Sequence, residues 1–316
     1  MSVQGDTGTV ETPVWNARRG ARHFVPSFSL LDVGFYSFRF EVSGLVGGHW
    51  TPWIATTTIG SYVFTPRAPS GGPLAVEVDL FRASAPVESV RLRVRVHPAS
   101  ALAHPLLVTL SACDLDHVDD ARQPEDDLDR RPEPGARSAW TDPLRVPARS
   151  QMDEPAEIRE RICSPTSVAM VLEYWGQRAP VKDLAAEIFH PELDLYGIWP
   201  AAIAAAARRG VAGYLLRFPD WSMAAWCLAQ GLPVIASIRY EVGELGGAPI
   251  PRTDGHLVVL TGEDMTHVHV NDPAGRTVGE VPRRYRREEV CRVWLERGGV
   301  GYVFFPLEPK APTGSE

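Results

Sequence analysis

Three side chains of this sequence carry the residue types of nucleophilic catalysis: Cys163, His256 and Asp272. Cys163 stands near the start of residues 162–176, ICSPTSVAMVLEYWG. There Val168, Val171, Leu172 and Trp175 recur at the spacing of one apolar helix face. Ser164, Thr166 and Ser167 crowd the helix start, where hydroxyls cap free N–H groups. Pro165 suits the first turn, and Gly176 follows the last periodic residue as a stop. The cysteine therefore falls at a helix N-terminus, where dipole and free N–H groups favour negative charge. Such a place shifts a thiol toward the thiolate, the form that attacks. A lone cysteine beside an apolar helix is more often a small buried hydrophobe, so the reading turns on whether a base and its orienting acid stand downstream.

Both do. His256 opens the apolar run of DGHLVVLTG, and Asp272 closes HVHVNDPAG. Their separation, 272 − 256 = 16 residues, leaves room for two paired strands and a turn through GEDMT. Neighbouring side chains on a strand point to opposite faces, so only one of Asn271 and Asp272 can meet His256. Asp272 shares a face with Val268 and Val270. Asn271 shares one with His267 and His269, and is expected on the more exposed side. A carboxylate beside His256 would fix its tautomer and stabilise its charged form. His267 and His269 share a face, but no third ligand is evident, so no metal is expected. No cofactor is expected either.

The elements that must position these groups are legible as patterns. After the cysteine helix, residues 181–189 and 200–209 read as helices, 214–218 as a strand and 221–230 as a helix stopped by Gly231. PVIASIRY at 233–240, then 256–261, 267–271 and 302–305 read as strands. Helices first and an antiparallel sheet later predict an α+β domain. The first half instead alternates with period two: Val90, Leu92, Val94 and Val96 against Arg91, Arg93, Arg95 and His97. Val76, Val78 and Leu80 repeat it, as do Phe38, Phe40 and Val42. Half-buried antiparallel strands with Gly and Pro turns predict a β-sandwich. Trp15, Trp50, Trp53 and Tyr62 are expected in its core. The expected domains are a β-sandwich at 1–113, an acidic, Pro-rich linker or loop at 114–145, and the α+β domain at 146–316. Asp114, Asp116, Asp119 and Asp120 lack the Gly and Glu of an EF-hand loop, so this stretch is read as solvated.

Composition limits the function classes. The 316 residues are 44% hydrophobic and 22% charged with a net charge of −7, so a general nucleic-acid binder is not expected. Cys113, Cys163, Cys227 and Cys291 form no CxxC pair and read as free thiols. The N-terminus has no signal-peptide pattern, and no apolar run is long enough for a membrane helix. A cytoplasmic location, with no membrane partner, is the expectation.

A Cys at the start of a long helix, GH on a strand and NDPA on the next resemble the papain-like cysteine peptidases. The resemblance is closer to the bacteriocin-processing, double-glycine leader peptidase group and its stand-alone soluble relatives. It runs over residues 146–306 and is carried by VPARSQ, ICSPTSVAMVLEYWG, LYGIWP, GLPVIASIRY, DGHLVVLTG and VNDPAG. It implies a papain-like domain with Cys163 as nucleophile, His256 as general base and acid, and Asp272 as the orienting residue. It also implies a Gln before the cysteine that helps bind the oxyanion, and Gln151 is the candidate. The family's usual spacing would place that Gln nearer, where Glu157 stands; Gln151 is 163 − 151 = 12 residues away, with MDEPAE as the added loop. The CG common after the nucleophile is CS here. The chain has no GxxxxGK[ST] loop, so leader processing tied to an exporter is not implied.

The expected function is a cysteine peptidase or amide hydrolase that acts on a peptide or amide substrate through a thioester acyl-enzyme. Tyr196, Gly197 and Trp199 either line its substrate cleft or anchor a buried loop. Two other readings are a non-catalytic peptide- or glycan-binding protein on the same scaffold, and an acyltransferase or cell-wall amidase with the same triad.

Overall fold

A computed structural model describes residues 2–31, 33–65, 72–116 and 143–307. The expected linker therefore lies mostly outside the described residues. The chain forms two compact units. One holds the described residues within Met1–His117, with Ala186–Leu215 and the residues from Pro306 onward. The other holds those within Val118–Ala185 and Leu216–Phe305.

In the first unit the alternating strands are β1 (Ser2–Gln4), β2 (Thr7–Glu11), β3 (Trp15–Leu31), β4 (Ser37–Val46), β5 (His49–Trp50), β6 (Ile54–Ala55), β7 (Leu74–Glu77), β8 (Leu80–His97) and β9 (Leu107–Asp114). The expected sandwich takes the form of one connected antiparallel sheet, curled into a half-barrel. The long β8 is its spine. It pairs with β2 and β3 along one edge, and with β4 and β7 along the other. Phe38, Phe40, Val42, Leu92, Val94 and Val96 are buried, as the alternation requires. The aromatic residues differ from expectation. Trp50 and Tyr62 are exposed, and Trp15 and Trp53 are half-buried. The Arg91 guanidinium lies 4.2 Å from the Trp50 ring centre, and that of Arg93 4.1 Å from Trp53. The same alternation that buries Leu92 turns these arginines outward, and a weakly hydrated guanidinium stacks on an indole. Trp50 and Trp53 cover arginines rather than fill the core.

The helices are α1 (Cys163–Tyr174), α2 (Val181–Ile188), α3 (Trp199–Ala207) and α4 (Trp221–Ala229). Alanine-rich α3 packs on β3 and is buried from Pro200 to Ala207. Its first N–H, that of Trp199, donates to Asp79 Oδ2 at 3.1 Å. β10 (Val211–Arg217) carries the chain from the first unit into the second. There β11 (Val234–Tyr240), β12 (Thr253–Glu263), β13 (His267–Asn271), β14 (Pro282–Arg286) and β15 (Val300–Pro306) form a sheet in the order β15-β11-β12-β13-β14. Val234, Ala236, Val258, Leu260, Val268 and Val270 sit in one apolar cluster with Trp294 and α4's Leu228. α1 lies against β12, and Ser167 Oγ donates to the Leu257 carbonyl at 3.1 Å. β14 and the helical turns of 287–295 were not expected. Their sequence, PRRYRREEVCRVWLE, is too rich in arginine to show a strand by alternation of apolar residues.

Candidate active site

Cys163 is the first residue of α1. The early N–H groups of a helix have no carbonyl partner within it, so the thiol stands beside backbone donors. Packing of α1 on β12 brings it to the side of the sheet where His256 lies, and the two groups act on each other's protonation. His256 sits on β12 opposite Ile238 of β11 and is 3% exposed. Its Nε2 is 2.8 Å from Asp272 Oδ1, which leaves Nδ1 for the thiol. Asp272 directly follows β13 and is fully buried.

Both oxygens of that carboxylate are held by structural donors. Oδ1 also accepts from the Ala274 N–H at 3.0 Å, and Oδ2 accepts from the Tyr285 hydroxyl at 2.7 Å. The Asp272 N–H donates to the Val281 carbonyl at 2.8 Å, which fixes the backbone behind it. The strand alternation places Asp272 toward His256, as expected. Asn271 is not exposed: it is 5% accessible, and its Nδ2 donates to the Val146 carbonyl at 3.0 Å. The chain before α1 covers this face of β13, and nothing in the alternation of β13 alone shows that cover.

The electrostatics come from burial and from the pairing. Burial opposes the thiolate of Cys163, but the hydrogen bond and charge of His256, with the Leu257 N–H, outweigh it and hold the thiol below its ordinary value. Burial likewise opposes a charged His256, yet Asp272 and the thiol raise its pKa to about 10. Burial pushes Asp272 up, and His256, Tyr285 and the Ala274 N–H pull it below the usual carboxylate range. Tyr285 is raised by burial and by the adjacent carboxylate, so it stays a phenol and donates its O–H to that carboxylate. By contrast, burial alone pushes Cys227 up to about 11.

Gln151 joins the same neighbourhood through its backbone: its N–H donates to the Pro273 carbonyl at 2.9 Å. Ser150 Oγ donates to the Gly275 carbonyl. The Gln151 side chain is buried; its Nε2 donates to the Arg159 carbonyl at 2.7 Å, and its Oε1 is buried without a hydrogen-bond partner. One amide N–H of Gln151 is thus used by the loop that follows it, and the second has no partner among the hydrogen bonds of the described residues. Tyr196, Gly197 and Trp199 lie in the first unit. The Tyr196 ring packs 4.6 Å from Phe189, the space around Gly197 is open, and Trp199 begins α3. His267 and His269 are half-buried and face the turn carboxylate Asp264 at 3.7 and 3.8 Å. Arg284 also pairs with Asp264, and among the described residues no group of three or more His, Cys, Asp or Glu is placed to hold a metal. Sequence reasoning missed Tyr285. Its only signal was a single aromatic inside RRYRR, at the position where alternation would turn one residue inward.

Comparison with known proteins places the chain in a family. No curated protein matches the chain significantly. Among solved structures, a double glycine motif protease from an AMS/PCAT transporter, in complex with its leader peptide, is 20% identical; the match covers 52% of this chain and 94% of that one, with a TM-score of 0.37. A C39-like peptidase from Bacillus anthracis is 19% identical, covering 52% of this chain and 97% of that one, with a TM-score of 0.41. The Peptidase_C39 like family matches residues 143–302, half of the sequence and all the residues of the site above. Cysteine-bearing α1 and the β12–β13 hairpin lie within that match, and the chain belongs to the Peptidase_C39 like family.

Proposed function

We propose that the chain is a cysteine peptidase or amide hydrolase in which Cys163, His256 and Asp272 act as a triad. The observation that carries this reading is the buried His256–Asp272 pair, Nε2 to Oδ1 at 2.8 Å, with half-buried Cys163 at the start of the helix that packs on the histidine's strand. In the resting site the thiol proton passes to His256 Nδ1, and Asp272 stabilises the imidazolium. The thiolate attacks the scissile carbonyl carbon. The resulting oxyanion is met by the Cys163 backbone N–H and by the spare N–H of the Gln151 amide. Collapse breaks the C–N bond, and His256 gives its proton to the leaving amine, which departs and leaves a thioester on Cys163. His256, now neutral, takes a proton from water; the hydroxide attacks the thioester, and the thiol is released with the acid product.

The test is cleavage of a peptide library by the wild-type chain, Cys163→Ala and Asp272→Asn, with masses of all products. Cleavage by wild type, none by Cys163→Ala, and a rate for Asp272→Asn lower by about 10²- to 10⁴-fold is the expected outcome. An added amine separates hydrolysis from acyl transfer, because transfer gives a product heavier by that amine. A wild-type chain that forms no covalent adduct with a peptidyl electrophile at Cys163 would remove the proposal.

A further inference from the structure

Tyr285 has no part in the chemistry above, yet its hydroxyl is aimed at the centre of the site. It lies on β14 opposite Val268 of β13, is 1% exposed, and reaches Asp272 Oδ2 at 2.7 Å. Asp272 Oδ1 is already shared between His256 and the Ala274 N–H, so the tyrosine is the one side chain described on Oδ2. A carboxylate held by donors on both oxygens cannot rotate out of line with the imidazole.

We propose that Tyr285 is a positioning residue of this triad, whose hydroxyl keeps the Asp272 carboxylate ionised and turned toward His256. The proposal rests on the triad reading. A buried carboxylate that loses a donor binds its proton more tightly or turns to find another partner. Either change weakens the charge behind His256, and a weaker imidazolium holds the Cys163 thiolate less well. The charged and titratable groups that face this carboxylate and its partner are His256 on β12, Cys163 on α1, Tyr240 on β11, and Arg283 beside Tyr285 on β14. The Arg283 Nη1 donates to the Gly247 carbonyl at 2.8 Å. A neutral phenol between these groups supplies the donor without adding a charge that would compete with His256.

The experiment follows alkylation of the Cys163-containing peptide by iodoacetamide, against pH, in the full chain. Wild type, Tyr285→Phe, Asp272→Asn and the double variant are compared. In Tyr285→Phe the acid limb of the rate is expected about one pH unit higher, the size of a lost charged hydrogen bond. In the Asp272→Asn background the same substitution should leave the limb where it is. An unmoved limb in Tyr285→Phe, or an equal shift in both backgrounds, overturns the proposal, whatever happens to Tm. If Tyr285→Phe does not fold, 3-fluorotyrosine placed at position 285 keeps the shape and makes a stronger donor. The limb should then move to lower pH, and no movement overturns the proposal. The two readings fail differently. A wild-type Cys163 that titrates as an ordinary thiol removes the triad itself. A depressed limb that responds to Asp272→Asn but not to Tyr285 removes only this inference.

Discussion

At the scale of residues, the thiol's surroundings set a pH window. His256 lowers the Cys163 thiol, and Asp272 with the thiol raises His256 to about 10, so both shifts favour the thiolate–imidazolium pair. Their apparent values belong to the pair rather than to either group. Alkylation of Cys163 should therefore proceed at neutral pH, well before that of Cys227, raised by burial to about 11, or Cys291, also raised by burial. Turnover should fall on the acid side as the thiolate takes a proton, and on the alkaline side as the imidazolium loses the one it must give the leaving amine. In His256→Ala the thiol loses the main group that lowers it, burial and the Asp272 charge are opposed by the Leu257 N–H alone, and the acid limb should move to higher pH. Mass spectrometry of partly alkylated protein reads both results; equal labelling of all the cysteines would sink the idea. Cys163, His256 and Asp272 were legible as candidates because each sits at the end of a strong pattern: Cys163 before an apolar helix, His256 before an apolar strand, Asp272 before Pro273. The burial of Asn271 was not, because its cover comes from Val146, 125 residues away in sequence.

At the scale of elements, the β12–β13 hairpin and the loop that leads from it into β14 carry the site. β13 runs over His267–Asn271, as the alternation predicts, whereas β14 is hidden by its arginines. Between them the chain from Asp272 to Val281 is fixed by the Asp272 N–H to Val281 and the Gly275 N–H to Asp272. Gly275 is required by space: a Cβ there would lie 2.7 Å from the Glu280 carbonyl carbon and 2.8 Å from the Val281 nitrogen. The Glu280–Val281 peptide is backbone and cannot yield as a flexible side chain would. Gly275→Ala should cost about 1–3 kcal/mol and also lower kcat, because the loop that shifts is the one that holds Asp272. Thermal unfolding with kinetics checks it, and full activity in a normally stable variant would contradict it. A second device caps α3. Asp79 stands in the two-residue turn between β7 and β8, after Val78 at φ +60°, and burial raises its pKa from 3.8 to about 6. The folded state therefore binds this proton more tightly than the unfolded one. Its contribution is fully present below 3.8 and is lost as pH rises to about 6. Asp79→Asn keeps an acceptor for the Trp199 N–H and removes the half-buried charge. It should raise stability by about 1–3 kcal/mol at pH 7 and by almost nothing at pH 4, read as Tm at the two values. A variant less stable at pH 7 would show that the ionised cap is the favoured one.

At the scale of the whole molecule, local pattern found the elements but not their grouping. The helical period of 200–209 was plain, and α3 matches it within a residue or two. Which surface covers those alanines was not, because the partner is β3, far upstream in sequence. Ala186–Leu215 consequently belongs to the same compact unit as the half-barrel, although the family match runs through it without a break. This grouping bears on the expected boundary near residue 145. A chain of residues 143–307 keeps Cys163, His256, Asp272, α1 and the sheet from β11 to β15, but α3 loses β3 and the Asp79 cap. The face of buried α3 that packs on β3 would then meet water. Alanine methyls and one Ile203 bury little area each, but together they amount to several kcal/mol at about 25 cal/mol per Å². The shortened chain should therefore show a Tm well below that of the full chain, early proteolysis within 186–215, and a Cys163 that still alkylates faster than Cys227 wherever it remains folded. Equal Tm values for the two chains would mean that α3 draws no stability from β3, and that the first unit is an appendage to an independent peptidase domain.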